Sequence, residues 1–243
     1  MNSIKDFNNA NPTDKMATNK SIFIWLDILG FSEAVDDGKQ YEKLSEHLMR
    51  FQTIFNSGEG YHANIISDGI ILYIQNPEFE KTNNIFRDIG QKQFQFICET
   101  NQFIRGGIAV GTRWQGKKQS DCNNIYISNG LARAVKIESK SISWPIIGVD
   151  KQNLLEIQKM FDMNNPDDFI GFVHGFNQYG GDVYFIDFIS EDERYCNLLE
   201  AKINEFSTDK KEHIRNKYIW LLRYYLQKFN KPNTISALQG AIL

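Results

Sequence analysis

The sequence contains few of the residues that would mark a disulfide-rich or disordered protein. Its 243 residues include only three cysteines and five prolines. Cys98, Cys122 and Cys196 stand far apart and form no CxxC pair, which excludes a disulfide framework and indicates free thiols in a reducing compartment. The low proline content and the hydrophobic fraction of 42% are those of an ordinary globular chain.

Long apolar runs and an excess of one charge are also absent. The longest apolar run, Ile22–Leu29, contains Asp27 and is far shorter than the ~20 residues that span a bilayer. The net charge is −3 and the basic residues are dispersed, which argues against nucleic acid as a partner. Residues 1–20 are polar and lack the apolar core of a signal peptide. We therefore expect a disordered leader and a cytoplasmic protein that does not contact membranes.

Hydrophobic periodicity predicts a chain of mixed strands and helices. Ser21–Leu26 is typical of a buried strand, Tyr41–Phe55 of an amphipathic helix, and the β-rich runs on either side of Ser67-Asp68-Gly69 of a hairpin. The polar segment 112–124 is predicted to be an exposed arm or loop. Further strands are predicted at 103–110, 145–149, 169–173 and 183–189, and further helices at 85–98, 128–138, 151–163, 195–206 and 211–229.

This order of elements indicates an α+β fold. A β-hairpin within an alternating chain is typical of a mainly antiparallel, ferredoxin-like sheet with helices packed on one face. We expect one catalytic domain at residues 21–190 and a helical C-terminal extension of the same domain at 191–243.

Asp27 and Asp68 are the residues with the clearest chemical meaning. Asp27 follows a buried strand, where a carboxylate is costly unless it is paired or bound to a metal. A strand, a helix and a second strand fit between the two residues, which would let both carboxylates share a divalent ion. Such hard oxygen ligands favour Mg²⁺ or Mn²⁺. Taken singly, Asp27 as a helix N-cap and Asp68 as a turn residue are the ordinary structural alternatives.

Four segments in sequence order carry a resemblance to a known family. They are FIWLDILGFS (Phe23–Ser32), ISDGIIL (Ile66–Leu72), RGGIAVG (Arg105–Gly111) and SNGLARAVKIE (Ser128–Glu138). In that order they resemble the first metal-binding segment, the second metal-binding hairpin, the RxGIxxG strand and the following helix of class III nucleotidyl cyclase domains. The single compact domain and the helix at Lys217–Leu221 resemble more closely the pyrimidine cyclases of bacterial Pycsar anti-phage defence.

The resemblance implies a reaction and a set of site residues. Asp27 and Asp68, with the backbone carbonyl of Ile28, would bind two Mg²⁺ or Mn²⁺ ions on a nucleoside triphosphate. The ribose 3′-hydroxyl would attack the α-phosphorus, closing a 3′,5′-cyclic ester and releasing pyrophosphate. The backbone around Phe31 and Ser32, at a helix start, would contact phosphate oxygens.

Two alignments are open for the cation that stabilises the transition state. Asn129 and Arg133 keep the family's spacing of Asn followed four residues later by Arg. The surrounding Ala-x-x-φ-Glu pattern instead aligns Ala132 and Lys136 with that pair, and a lysine supplies a point charge where an arginine supplies a fork. Both cations would also suit a solvated helix face. The resemblance further implies a symmetric homodimer in which each site is built from both subunits.

Asn64 is the candidate residue for recognising the nucleotide base. It stands four positions before the second metal-binding Asp, where adenylyl cyclases carry Lys and guanylyl cyclases Glu, and its amide can both donate to and accept from uracil or cytosine. The resemblance therefore implies a uridylate cyclase, with a cytidylate cyclase or a non-catalytic nucleotide-binding module as alternatives. The cyclic nucleotide would act on a separate effector. Tyr61 and Trp114 are candidates to stack on the base, with burial in the core as the more common role of such aromatics. Glu138 is a candidate ion-pair partner for Arg105.

Overall fold

The protein, represented by a computed structural model, is described over residues 20–37, 41–56, 58–114, 127–163, 172–174, 183–205 and 212–229. The strands are β1 Ser21–Ile28, β2 His62–Ile66, β3 Gly69–Ile74, β4 Ile104–Gly111, β5 Arg113–Trp114, β6 Ile127–Ser128, β7 Ile147–Asp150, β8 Phe172–His174 and β9 Val183–Ile186. The helices are α1 Phe31–Asp37, α2 Tyr41–Phe55, α3 Phe79–Thr100, α4 Asn129–Ser141, α5 Lys151–Phe161, α6 Glu193–Glu205 and α7 Glu212–Lys228. The predicted leader, apart from Lys20, and residues 115–124 of the predicted arm lie outside the described residues.

The main sheet has seven strands in the order β2-β3-β1-β4-β7-β9-β8. Every described pair in it is antiparallel except β4 with β7. The first four strands, with α2 and α3 between them in the chain, form the ferredoxin-like arrangement that the sequence predicts. β1 lies at the centre, and its near-continuous apolar sequence reflects burial on both faces.

Helices cover both faces of the sheet, so the expectation that they lie on one face is wrong. On one face, Phe51 of α2, Phe86 of α3 and Leu154 of α5 pack in a core with alternate residues of β1 such as Ile24. On the other face a second core includes α4, α6 and α7. The long C-terminal helices, which are remote in sequence from β1, make this second layer possible.

Two short turns set the ends of the central strands. Gly30 has a positive φ of 78°, which lets the chain leave β1 and enter α1 at Phe31. The β2–β3 hairpin closes through a two-residue turn, Ser67-Asp68, in which Ser67 has a φ of 56°. The hairpin is therefore confirmed, and Asp68 lies directly before β3.

Helix α4 lies unusually close to strand β4. A Cβ atom on Gly107 would lie 2.1 Å from the carbonyl oxygen of Ala134 and 2.8 Å from the amide nitrogen of Glu138. At the other end of the contact, a Cβ atom on Gly111 would lie 2.3 Å from the backbone of Gly130. The two contacts show that α4 runs antiparallel to β4 and that its backbone approaches the strand closely.

The C-terminal helices are fixed to the sheet by aromatic packing and by Asp187. Trp220 of α7 packs edge-to-face against Phe185 of β9, with 5.6 Å between the ring centroids. Asp187, just beyond β9, accepts a hydrogen bond from the Tyr224 hydroxyl at 2.9 Å and pairs with Lys228. Burial, with Asp187 nearby, strongly raises the pKa of the Tyr224 phenol. None of the helices in the described ranges is both long enough and apolar enough to cross a membrane.

Candidate functional site

Strand register brings Asp27 and Asp68 to the same end of the sheet. Asp27 of β1 lies directly opposite Gly69 of β3, and Gly69 follows Asp68 in the chain. Directly opposed residues of antiparallel strands have Cα atoms about 4.5 to 5.5 Å apart. Both aspartates are half-buried. The two carboxylates thus share one small region, although 40 residues separate them in sequence.

The donor set of this region suits a hard divalent ion. Over the residues that the structure describes, no three His, Cys, Asp or Glu side chains form a complete metal site. Mg²⁺ commonly binds through one or two carboxylates and completes its shell with water and substrate phosphates. Asp27 and Asp68 fit that pattern. The side chain of Ile28 is buried, so only its backbone carbonyl could take part.

Arg105 is a site residue that the sequence reasoning missed. It lies directly opposite Asp27 on β4, so the two side chains leave neighbouring strands at the same level of the sheet and on the same face. Its predicted ion pair with the buried Glu138 of α4 is confirmed. The RxGIxxG pattern was the available signal, but the pairing of β1 with β4 was needed to place Arg105 beside Asp27.

Asn129 and Arg133 are held near the opposite end of β4. The Asn129 side-chain oxygen accepts a hydrogen bond from the Thr112 amide at 2.8 Å. Arg133 donates to the Val110 carbonyl at 3.1 Å and pairs with Glu156 of α5 at 3.2 Å. Both candidates are therefore engaged within their own subunit.

The length of β4 separates these residues from the two aspartates. Arg105, opposite Asp27, and Gly111, next to Thr112, lie six residues apart on the strand, which corresponds to about 20 Å. A single subunit consequently does not bring Arg133 to Asp27.

Lys136 occupies a different environment from Arg133. It is exposed on α4, as is Ala132 one turn earlier. No side chain within the described ranges pairs with it. Of the two candidate cations, Lys136 is the one that points away from its own subunit.

Asn64 shares a sheet face with Asp27. It pairs with Ile71, which in turn pairs with Trp25, and Trp25 precedes Asp27 by two residues on β1. Because alternate residues of a strand project from the same face, these side chains line one side of the sheet. Asn64 is half-buried there.

Tyr61 does not stack on a ligand at this face. It belongs to the core on the other face of the sheet and is 8% exposed. Its hydroxyl donates to the Phe55 carbonyl at 3.3 Å and accepts from Lys92 at 2.9 Å. Burial raises the pKa of the Tyr61 phenol against the opposing effect of Lys92. Of the two roles that the sequence allows for Tyr61, the structure therefore supports the core role, and the side chain of Trp114 lies outside the described atoms.

Phe31 and Ser32 begin α1, immediately after the turn at Gly30. Phe31 packs against the core that contains α2 and α3, whereas Ser32 is exposed. The expected helix start is thus present, and Ser32 lies at the surface close to the end of β1.

Comparison with solved structures identifies the fold. The chain is similar to a bacterial light-regulated adenylyl cyclase, with 14% identity and a TM-score of 0.51 over 76% of this chain and 99% of the other. It also matches the adenylyl cyclase CyaB from P. aeruginosa, with 12% identity, a TM-score of 0.45 and 72% and 95% coverage. A third match is a class III adenylyl cyclase-like ATP-binding protein from Pseudomonas aeruginosa, with 10% identity, a TM-score of 0.37 and 54% and 33% coverage.

No protein-family model matches the sequence, and no curated protein matches it. The similarity therefore shows the fold alone, which is that of class III adenylyl cyclases.

Proposed function

We propose that this chain, which has the fold of class III adenylyl cyclases, is a pyrimidine nucleotidyl cyclase that converts UTP into 3′,5′-cyclic UMP and pyrophosphate. The observation that carries the proposal is the register that brings Asp27 and Asp68 to one end of the central strands. A non-catalytic nucleotide-binding module would not need both carboxylates. Arg105, placed beside Asp27, adds a cation where a triphosphate would lie.

The chain's own residues account for binding and positioning. Asp27 and Asp68 would hold two Mg²⁺ or Mn²⁺ ions, which supply Lewis-acid stabilisation of the attacking and leaving oxygens. Arg105 would face the phosphates and is itself held by Glu138. The ribose 3′-oxygen loses its proton as it bonds to the α-phosphorus, and the bond to pyrophosphate breaks. Positioning and charge stabilisation therefore provide most of the catalysis.

A homodimer would complete the site. Within one subunit Arg133 lies near the far end of β4 from Asp27, so its charge cannot serve its own carboxylates. A two-fold partner would present the exposed side of its α4, which carries Lys136, to the Asp27 end of the first subunit. This geometry favours Lys136 as the cation that acts across the interface.

Mixing inactive variants tests this arrangement. Asp27→Ala and Lys136→Ala proteins are each expected to be inactive, and subunit exchange should restore about a quarter of wild-type activity because one site in the mixed dimer keeps both groups. Arg133→Ala replaces Lys136→Ala in the comparison experiment, because Arg133 pairs with Glu156 in its own subunit and Lys136 is the cation proposed to act across the interface. If mass analysis shows that the subunits have exchanged but no activity returns, the composite site is refuted.

Base selectivity rests on Asn64. Assay of the pure protein with Mn²⁺ and each of the four ribonucleoside triphosphates, with products identified by mass, should give cyclic UMP as the main product and cyclic CMP next. Asn64→Lys should lower the ratio of kcat/KM for UTP over ATP by about tenfold, since a lysine can only donate. Asn84→Lys, an exposed change on α3, is the matched control. An ATP preference in the wild type would overturn the pyrimidine assignment.

The proposed biological role is that of a signalling enzyme in anti-phage defence. A cyclic pyrimidine nucleotide is a soluble second messenger, which here would be made in the cytoplasm during phage infection and would activate a separate effector. The resemblance to the Pycsar cyclases supports this role.

A further inference from the structure

The indole of Trp25 reaches the end of the sheet where the two aspartates lie. Trp25 precedes Asp27 by two residues on β1, so both side chains project from the same face of the sheet. A Cβ atom on Gly69 would lie 2.1 Å from the Cη2 atom of this indole. The ring therefore extends across to β3, over the residue that pairs with Asp27 and follows Asp68 in the chain.

The glycine at position 69 is explained by this ring. Among the described glycines only Gly30 and Gly60 have a positive φ, so the backbone of Gly69 does not require glycine. Its missing side chain instead leaves the space that the indole occupies. An aromatic ring that covers a glycine can stabilise a sheet by itself, so the surroundings of the ring decide whether it has a further role.

The indole is not closed off by its own subunit. Trp25 packs against the second core but is only half-buried, whereas its neighbours on β1, Ile24 and Leu26, are 0% exposed. No aromatic ring of the described residues stacks on it, in contrast to Trp144, which stacks on Trp220. The indole thus keeps surface that a planar ligand can contact.

The neighbouring strand adds apolar and polar groups on the same face. Ile66 of β2, which pairs with Gly69, is 49% exposed, so the described part of the subunit leaves much of this apolar side chain uncovered. Asn64, two residues earlier on β2, is half-buried on that face. Apolar surface with an amide at its edge therefore adjoins Asp27, and this combination matches a nucleobase next to metal-bound phosphates.

We propose that the indole of Trp25 stacks on the base of the nucleotide whose phosphates are held at Asp27 and Asp68. This inference rests on the proposed function, because it needs a nucleotide at the aspartates. Every base has a flat π-face, so stacking supplies affinity without choosing the base. Trp25 would thus hold the base, and Asn64 would select it.

Calorimetric titration with Mn²⁺ and 3′-deoxyuridine triphosphate, which lacks the attacking hydroxyl, tests the inference without turnover. Inorganic tripolyphosphate is the probe that has no base. Trp25→Leu should weaken binding of the nucleotide about tenfold, in the range found for stacking of a base on an aromatic side chain. It should leave the Kd of tripolyphosphate unchanged. Trp25→Phe, which keeps a flat ring, should bind the nucleotide within about threefold of wild type.

Two further variants separate stacking from a structural role. Gly69→Ala should resemble Trp25→Leu, because the added Cβ displaces the indole without removing it. Trp144→Phe is the matched control, since Trp144 is 6% exposed and lies in the second core, and it should bind both probes as wild type does.

The outcomes distinguish failure of this inference from failure of the proposed function. Equal weakening of both probes in Trp25→Leu would show that Trp25 only shapes the sheet, and unchanged nucleotide binding would show that no base lies against it. Either result overturns the inference alone. A wild-type protein that does not bind the nucleotide would overturn the inference and the proposed function together.

Discussion

Replacement of Asp68 with asparagine is expected to lower kcat for cyclic nucleotide formation by about 10³-fold. Asparagine keeps the shape of the side chain but removes the charge that would hold a divalent ion, and the electrostatic stabilisation of the reaction depends on that ion. Asp27→Asn should have a similar effect. The double variant should be little worse than either single one, because residues that act as a unit are not additive.

Stability measurements distinguish a lost metal site from a damaged fold. Because Asp68 lies half-buried in the hairpin turn and asparagine keeps its shape, Asp68→Asn should melt within about 1 °C of wild type in EDTA. Mn²⁺ with UTP should raise the Tm of wild type but not of the variant. Asp162→Asn, at the C-cap of α5, is the matched control. Retention of more than a tenth of wild-type kcat by Asp68→Asn would contradict the assignment.

Replacement of Gly107 with alanine is expected to destabilise the protein by about 3 kcal/mol. The added Cβ would lie 2.1 Å from the Ala134 carbonyl oxygen, so α4 would have to move away from β4. That movement would also disturb the Arg105–Glu138 pair beside Asp27. For a chain of this size the Tm should fall by about 10 °C.

The control for Gly107→Ala is Ala132→Ser, a small change on the exposed side of the same helix. It should leave the Tm within about 1 °C of wild type, since exposed substitutions have small effects. An unchanged Tm for Gly107→Ala would show that α4 does not lie against β4 as closely as described.

The elements that the sequence predicted well have strong local signals. The spacing of Leu44, Leu48, Phe51 and Phe55 predicts α2, and Ser67-Asp68-Gly69 predicts the hairpin; both are confirmed. The start of helix α1 was expected only from the family resemblance, because its seven residues are too few for a periodic pattern.

The parts that could not be predicted depend on contacts between distant segments. Arg105 lies opposite Asp27 only because β4 pairs with β1, and the second face is covered because α4, α6 and α7 all pack against it. Similarly, Arg133 forms an ion pair with Glu156 of another helix, and the spacing of residues within one helix cannot predict such a pair. Sequence patterns therefore identified the two aspartates, whereas strand order was needed to find their neighbour.

The most direct test of the central claim is the stoichiometry of the reaction of pure protein with UTP and Mn²⁺, followed by mass and phosphate analysis. The account predicts one 3′,5′-cyclic UMP and one pyrophosphate for each UTP consumed, and no turnover of 3′-deoxyuridine triphosphate, which lacks the attacking hydroxyl. Release of linear UMP with pyrophosphate, consumption of the 3′-deoxy analogue, or no cyclic product from any ribonucleoside triphosphate would contradict it.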